Sequence, residues 1–173
     1  MPLTIERVGL QQRGVLQNLL NMYLHEMSAF NEMGVDEAGN FEYKHMSCYW
    51  VEPERHPFFV RVKGKIAGFV LVRDIDSFSG DTIHSVAEFF ILNTYRRLGI
   101  GEEIARIVLN RFPGKWQIAV QDENRVGRLF WKRVVWRFTG GKLHEFRTGE
   151  WDGTVLEFTS PGARPPEPEP HSE

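Results

Sequence analysis

One cysteine, Cys48, is all that the 173-residue chain contains, so no internal disulfide can form. A lone cysteine is more often a small buried apolar side chain than a nucleophile, and no histidine accompanies Cys48 in a nucleophile signature. No run of about 18 apolar residues occurs, which excludes a membrane-spanning helix. The opening residues MPLTIERVGL lack the apolar stretch and small-residue cleavage site of a signal peptide. Together with the unpaired cysteine, this predicts a cytoplasmic protein. No His, Cys, Asp or Glu set has metal-ligand spacing, so no metal is expected. The net charge of −2 lacks the basic excess of a nucleic-acid binder. Neither nucleic acid nor a membrane is an expected partner.

What is present is the composition of an ordinary globular domain, 42% apolar, 13% aromatic and 25% charged. Residues 161–173, PGARPPEPEPHSE, hold five of the nine prolines and three glutamates, too few apolar groups to build a core. They predict a disordered tail behind a single domain over residues 1–160. Within that domain the charge is segregated. Residues 96–137 carry ten Lys/Arg against four Asp/Glu, whereas residues 1–95 carry eight against twelve. Such segregation suits a pocket that takes an anion at one end and a cation at the other. The alternative is that basic side chains merely solvate two helices.

Periodicity gives the elements. Leu16, Leu19, Leu20, Tyr23, Leu24 and Met27 recur at helical spacing, predicting a helix from Gln11 to Phe30 after a short strand, Leu3 to Val8. Residues 31–57 read as a loop with one short helix, in which Tyr43, Tyr49 and Trp50 either pack or line a pocket. Phe58–Val62 and Ile66–Val72 flank a glycine turn and predict an antiparallel hairpin. Ile83–Leu92 reads as a central strand. A helix stripe at Ile100, Ile104, Ile107 and Val108 follows, then a strand from Trp116 and a helix capped by Asp122 or Asn124. Strands over Arg137–Phe146 and Thr154–Thr159 close the domain. The order predicts a mixed α/β sheet with one parallel crossover.

The most informative segment is Arg96-Arg97-Leu98-Gly99-Ile100-Gly101-Glu102, between the central strand and the next helix. A helix start presents unpaired N–H groups and a partial positive charge, and glycines let a phosphate approach that backbone. A nucleotide P-loop is excluded because no Gly-Lys-Ser/Thr is present. A dinucleotide fold is excluded because Ile104 stands where a third small residue is needed. By itself such a glycine pair can equally be a structural turn.

Arg96-x-x-Gly99-x-Gly101 resembles the (Gln/Arg)-x-x-Gly-x-(Gly/Ala) signature of the GNAT N-acetyltransferases, and it follows an apolar strand as theirs does. The strand WQIAV, then Asn124 followed by Phe130-Trp131, resembles that family's second block. The resemblance implies an α/β (α+β) fold: a mixed, mostly antiparallel twisted sheet with a central parallel strand pair splayed around the cofactor and flanked by helices. It implies acetyl-CoA as co-substrate and transfer of its acetyl group to a primary amine of a small molecule or a protein. Phe90, Ile91 and Leu92 would then contact pantetheine. Arg96, Arg97, Leu98, Gly99, Ile100, Gly101 and Glu102 would surround the diphosphate, and Asn124 would touch the cofactor further along. Relatives often pair through their C-terminal strands, so a homodimer is one expectation.

Acetyl transfer needs a neutral amine, and a lysine-like amine with a pKa of about 10.4 must first lose a proton. The resemblance points to Glu88, in the strand before the pantetheine stretch, as the acceptor of that proton, and burial there would raise its pKa usefully. Its alternative role is to pair with an arginine or a backbone group. A strand N–H near Phe90 would hold the oxyanion. Relatives protonate the departing thiolate with a tyrosine of the second block, where Trp131 stands here. Tyr95 or water would substitute, or the thiolate would leave unaided. That departure keeps a second reading open, a catalytically silent acyl-CoA-binding domain of the same fold.

Overall fold

Alternating apolar residues supply strands with two buried faces, and the computed structural model, which describes residues 2–150 and 152–162, assembles them into one sheet. The strands are β1 (Leu3–Arg7), β2 (Arg55–Val62), β3 (Lys65–Asp76), β4 (Thr82–Ile91), β5 (Gly114–Gln121), β6 (His144–Phe146) and β7 (Gly153–Ser160). The helices are α1 (Arg13–Met27), α2 (Ile100–Arg111) and α3 (Arg125–Thr139). Spatial order is β1-β2-β3-β4-β5-β7-β6, with β4 in the centre. Every pairing is antiparallel except β4 with β5, which the α2 crossover joins in parallel. This is the mixed, mostly antiparallel architecture that the sequence implied. Lys63 and Gly64 both take positive φ, 49° and 77°, the conformation of a two-residue hairpin turn between β2 and β3.

The two sheet faces carry separate cores. Phe58, Val60, Val70 and Val72 point toward α2 and α3, where Ile104, Val108, Trp131 and Val134 cover them. Their neighbours Phe59, Phe69 and Leu71 point the other way, against Leu16, Leu20 and Leu24 of α1 and against Tyr49. The period of two in the strands and the period of 3.6 in the helices thus meet on each face.

Several boundaries differ from expectation. Residues Arg137 to Thr139 end α3 rather than starting a strand, because Phe138 continues the helix stripe until Gly140, with φ 63°, terminates it. Only His144–Phe146 remains extended. Helix α1 stops at Met27 rather than Phe30, and both hairpin strands run longer than their apolar centres. The segment 31–57 holds one short helical turn, Ser47–Trp50, and an isolated bridge between Val35 and Phe41. Of the expected tail, Pro161 and Gly162 follow β7, and residues 163–173 lie outside the described residues. No helix among the described residues is long and apolar enough to cross a membrane.

Candidate active site

The β4–β5 pairing is short. It covers Ile83–Ser85 against Lys115–Gln117, and beyond Ser85 the strands part. A parallel pair that opens in mid-sheet leaves one edge of β4 without a strand partner, and such an edge pairs readily with an extended ligand. The opening holds a cavity of about 950 Å³. Its lining comes from both faces of the sheet: Gly99, Gly101, Phe130 and Arg133 on the α2–α3 side, Tyr23, Met27 and Asn31 on the α1 side.

The loop entering α2 is built for close approach. Arg97 and Gly99 both take left-handed backbone conformations, φ 62° and 75°. Gly99 caps α2 without a side chain, so the first-turn amides keep no internal acceptor there. Gly101 sits where a Cβ would come 3.3 Å from the Phe130 ring. Arg97 and Arg133 line the same cavity. Arg96 lines it too and is also paired within the protein: its Nη2 donates to both Glu26 oxygens at 2.9 and 3.0 Å, and its Nε to the Ile91 carbonyl at 2.6 Å. It therefore fastens the end of α1 to the end of β4.

Glu88 reaches the cavity through a β-bulge. Leu71 pairs with Glu88 and Val72 with Val86, which leaves Ala87 as the extra residue. Val86 belongs to the α2–α3 core, so plain alternation would send Glu88 there too. The bulge turns it to the α1 side, where Phe90 also packs. There the Tyr23 hydroxyl donates to Glu88 Oε2 at 2.5 Å. Burial pushes the Glu88 carboxyl above its ordinary value, while the Tyr23 hydrogen bond pulls the other way. Burial and the adjacent carboxylate push the Tyr23 hydroxyl well up, and Tyr43, facing the same carboxylate, is pushed up by the same two causes.

Of the predicted site residues, Glu88, Phe90, Ile91, Arg96, Arg97, Gly99, Gly101, Glu102 and Asn124 line the cavity. Four do not bring their side chains to it. Leu92 packs toward the α1 core, and its amide is spent on the Ala67 carbonyl at 2.8 Å. Leu98 points outward at 63% exposure, and Ile100 is buried under the sheet. Tyr95 packs its ring against the α2–α3 core. The tyrosine hydrogen-bonded to Glu88 is Tyr23, which the sequence had marked only as part of an apolar helix stripe. Asn124 spends its Oδ1 on the Gly127 amide at 2.9 Å, capping α3. Trp131 is buried against Phe89 and Phe130 and offers no hydroxyl. A further residue the sequence did not reveal is Gly68, where a Cβ would lie 1.9 Å from the Phe90 carbonyl oxygen. Among the described residues no group of three or more His, Cys, Asp or Glu side chains is placed to hold a metal.

Residues 16–134, which contain the splayed strands, the glycine loop and the first part of α3, match the family model described as the acetyltransferase (GNAT) family. The chain belongs to the GNAT acetyltransferase family. Solved structures agree on the fold. A Thermus thermophilus acetyltransferase aligns at 12% identity and TM-score 0.66, over 92% of this chain and 97% of its own. Naa50 of Arabidopsis thaliana, solved with the bisubstrate analogue CoA-Ac-MVNAL, aligns at 13% identity and TM-score 0.60, over 92% and 99%. The Vibrio cholerae spermidine N-acetyltransferase, solved with CoA and spermine, aligns at 13% identity and TM-score 0.61, over 91% and 95%. No curated protein sequence matches.

Proposed function

We propose that this chain is an acetyl-CoA-dependent N-acetyltransferase acting on a primary amine, with residues 1–160 as its single catalytic domain. The observation that carries the reading is the position of Glu88, a buried carboxylate turned by a bulge into the same opening that the glycine loop borders.

The chain's own groups divide the work. The amides at the start of α2, with Arg97 and Arg133, face the diphosphate of acetyl-CoA. The unpartnered edge of β4 at Phe90 and Ile91 pairs with the amides of the pantetheine arm. Glu88 takes a proton from the incoming ammonium, directly or through one water, because a buried carboxylate of raised pKa is a better base than a free one. The amine nitrogen then bonds to the thioester carbonyl carbon, a strand N–H near Phe90 holds the oxyanion, and the C–S bond breaks.

Proton return to the thiolate falls to Tyr23. While Glu88 is ionised, Tyr23 donates to it. Once Glu88 carries the amine's proton, that bond reverses, and Tyr23 passes its own proton to sulfur as it receives the one from Glu88. The second proton of the amine goes to solvent. No free phenolate forms, so the raised pKa of Tyr23 does not oppose the transfer.

Trp131, where relatives place a tyrosine, favours the alternative of a silent acyl-CoA-binding domain. One assay separates the two. Acetyl-CoA at a hundred times its Kd stabilises the protein by about 2.7 kcal/mol in either case, roughly 5–10 °C in Tm. Free thiol released in the presence of an amine panel supports the enzyme, whereas a Tm shift without thiol release supports the binding domain.

A further inference from the structure

Across the α1 side of the opening runs a reciprocal pair of side-chain amides. Asn31 Nδ2 donates to Gln121 Oε1 at 3.2 Å, and Gln121 Nε2 donates back to Asn31 Oδ1 at 3.0 Å. Asn31 follows α1 and Gln121 ends β5, so the bridge joins elements from the two flanks of the cavity, and both residues line it. Asn31 is itself oriented, its Nδ2 also donating to the Met27 carbonyl at 3.3 Å. Two amides that satisfy each other in this way present the same donor and acceptor pattern as a peptide unit.

The carboxylates of the cavity are Glu26, Glu88 and Glu102. Glu26 is held by both its oxygens to Arg96, and Glu102 by both to Arg137. Glu88 is buried and bonded to Tyr23. Among the described residues that line the cavity, a second cationic centre on the acceptor would therefore meet no carboxylate without a partner, and a polyamine is poorly served. Met27, whose carbonyl Asn31 also reaches, and Met33 line the same cavity.

We propose that Asn31 and Gln121 recognise the acceptor, exchanging their mutual hydrogen bonds for bonds to an amide that lies next to the reactive amine, as at the N-terminus of a peptide. This rests on the acetyl-transfer reading above. An acceptor that opens the bridge without bringing an amide leaves polar groups unpaired in the cavity, and such groups are costly. The α-amine of a peptide also needs less from its base than a lysine-like amine, with a pKa of about 7.7–8.0 against about 10.4.

The test compares kcat/KM of the full chain, with saturating acetyl-CoA, for a free-amine tetrapeptide with an apolar first residue, for an alkylamine of similar length without amides, and for spermidine. The proposal expects the peptide to lead both others by roughly tenfold or more. It expects Asn31→Ala and Gln121→Ala to lower kcat/KM for the peptide about tenfold, mainly through KM, and to change the alkylamine less than about threefold. Asn31→Asp, which keeps shape and loses the donor, covers the case of an unfolded alanine variant and should behave alike. Spermidine or the alkylamine matching the peptide, or equal losses on both acceptors in the variants, overturns this proposal while leaving acetyl transfer standing. Absence of both acetyl-CoA binding by calorimetry and thiol release with any amine overturns the underlying reading instead.

Discussion

Tyr23 and Glu88 stand 65 residues apart in the chain, and their oxygens stand 2.5 Å apart in the fold. One comes from the apolar stripe of α1 and the other from a bulge in β4. The sequence singles out Glu88 through the family resemblance and gives Tyr23 no role beyond the helix stripe. Together the two residues place a carboxylate and a hydroxyl in one opening.

Glu88→Gln should lower kcat by about 10²–10⁴, the usual contribution of a positioned base, and should remove the acid limb of the pH profile. In the native enzyme that limb lies above the ordinary carboxylate range, because burial raises the Glu88 carboxyl. Stability carries the opposite sign. A carboxyl whose folded pKa is raised stabilises the fold below its unfolded pKa, about 4.3. That contribution is lost as pH rises through the folded value. Glu88→Gln should therefore melt higher than the native protein at neutral pH, with the difference shrinking as the pH falls toward about 4. Thermal scans across pH, paired with steady-state rates, check both halves.

Tyr23→Phe keeps the ring against Phe69 and Phe90 and loses only the hydroxyl. Its kcat should fall about tenfold or more, while the Kd for acetyl-CoA stays within about twofold. A proton inventory in mixed H₂O and D₂O should bow for the native enzyme, with two protons moving together, and run straight for the variant. Equal curvature in both would remove Tyr23 from the relay.

Two glycines should respond in opposite ways to the same added methyl group. At Gly68 the methyl would meet the Phe90 carbonyl oxygen at 1.9 Å, a backbone atom that cannot yield without disturbing the β3–β4 register. Gly68→Ala should cost about 1–3 kcal/mol or more, read as a drop in Tm. At Gly101 the methyl would meet the Phe130 ring at 3.3 Å, a side chain able to shift, in a helix that gains from alanine. Gly101→Ala should keep its Tm and bind acetyl-CoA about tenfold more weakly.

At the closed end of the splayed pair, Asp74 takes a hydrogen bond from His84 Nδ1 at 2.6 Å and one from His56 Nε2 at 3.1 Å. The other His84 nitrogen, Nε2, faces the Pro113 carbonyl at 3.1 Å. Asp74→Asn presents these histidines with an amide in place of two acceptor oxygens. It should destabilise the fold by about 1–3 kcal/mol, and amide exchange should quicken first at Ile83–Ser85, the residues that zip β4 to β5.

Much of this was legible in the chain because it is local. The stripes of α1, α2 and α3, the hairpin around Gly64 and the glycine loop are set by neighbours within a few residues. The site was legible where the motif is backbone chemistry, at Gly99 and Gly101. It was illegible where function depends on which way a side chain turns. Alternation gives no warning of the extra residue at Ala87, so the sequence names Glu88 without saying which face receives it. Tyr95 is the nearer tyrosine to Glu88 along the chain, yet the short turn Asn93–Tyr95 packs it against the α2–α3 core, and the tyrosine that meets Glu88 is Tyr23 of α1. The ion pair of Arg96 with Glu26 was illegible because the partner is 70 residues away. The helix–strand boundary at residues 137–143 was misplaced because Phe138 fits either period.

The most direct trial of the whole account is calorimetric titration of acetyl-CoA into the native protein and into Arg97→Ala. The account predicts saturable one-to-one binding by the native chain, weakened about tenfold or more in the variant. Absence of heat with the native protein, or equal affinity in the two, would contradict it.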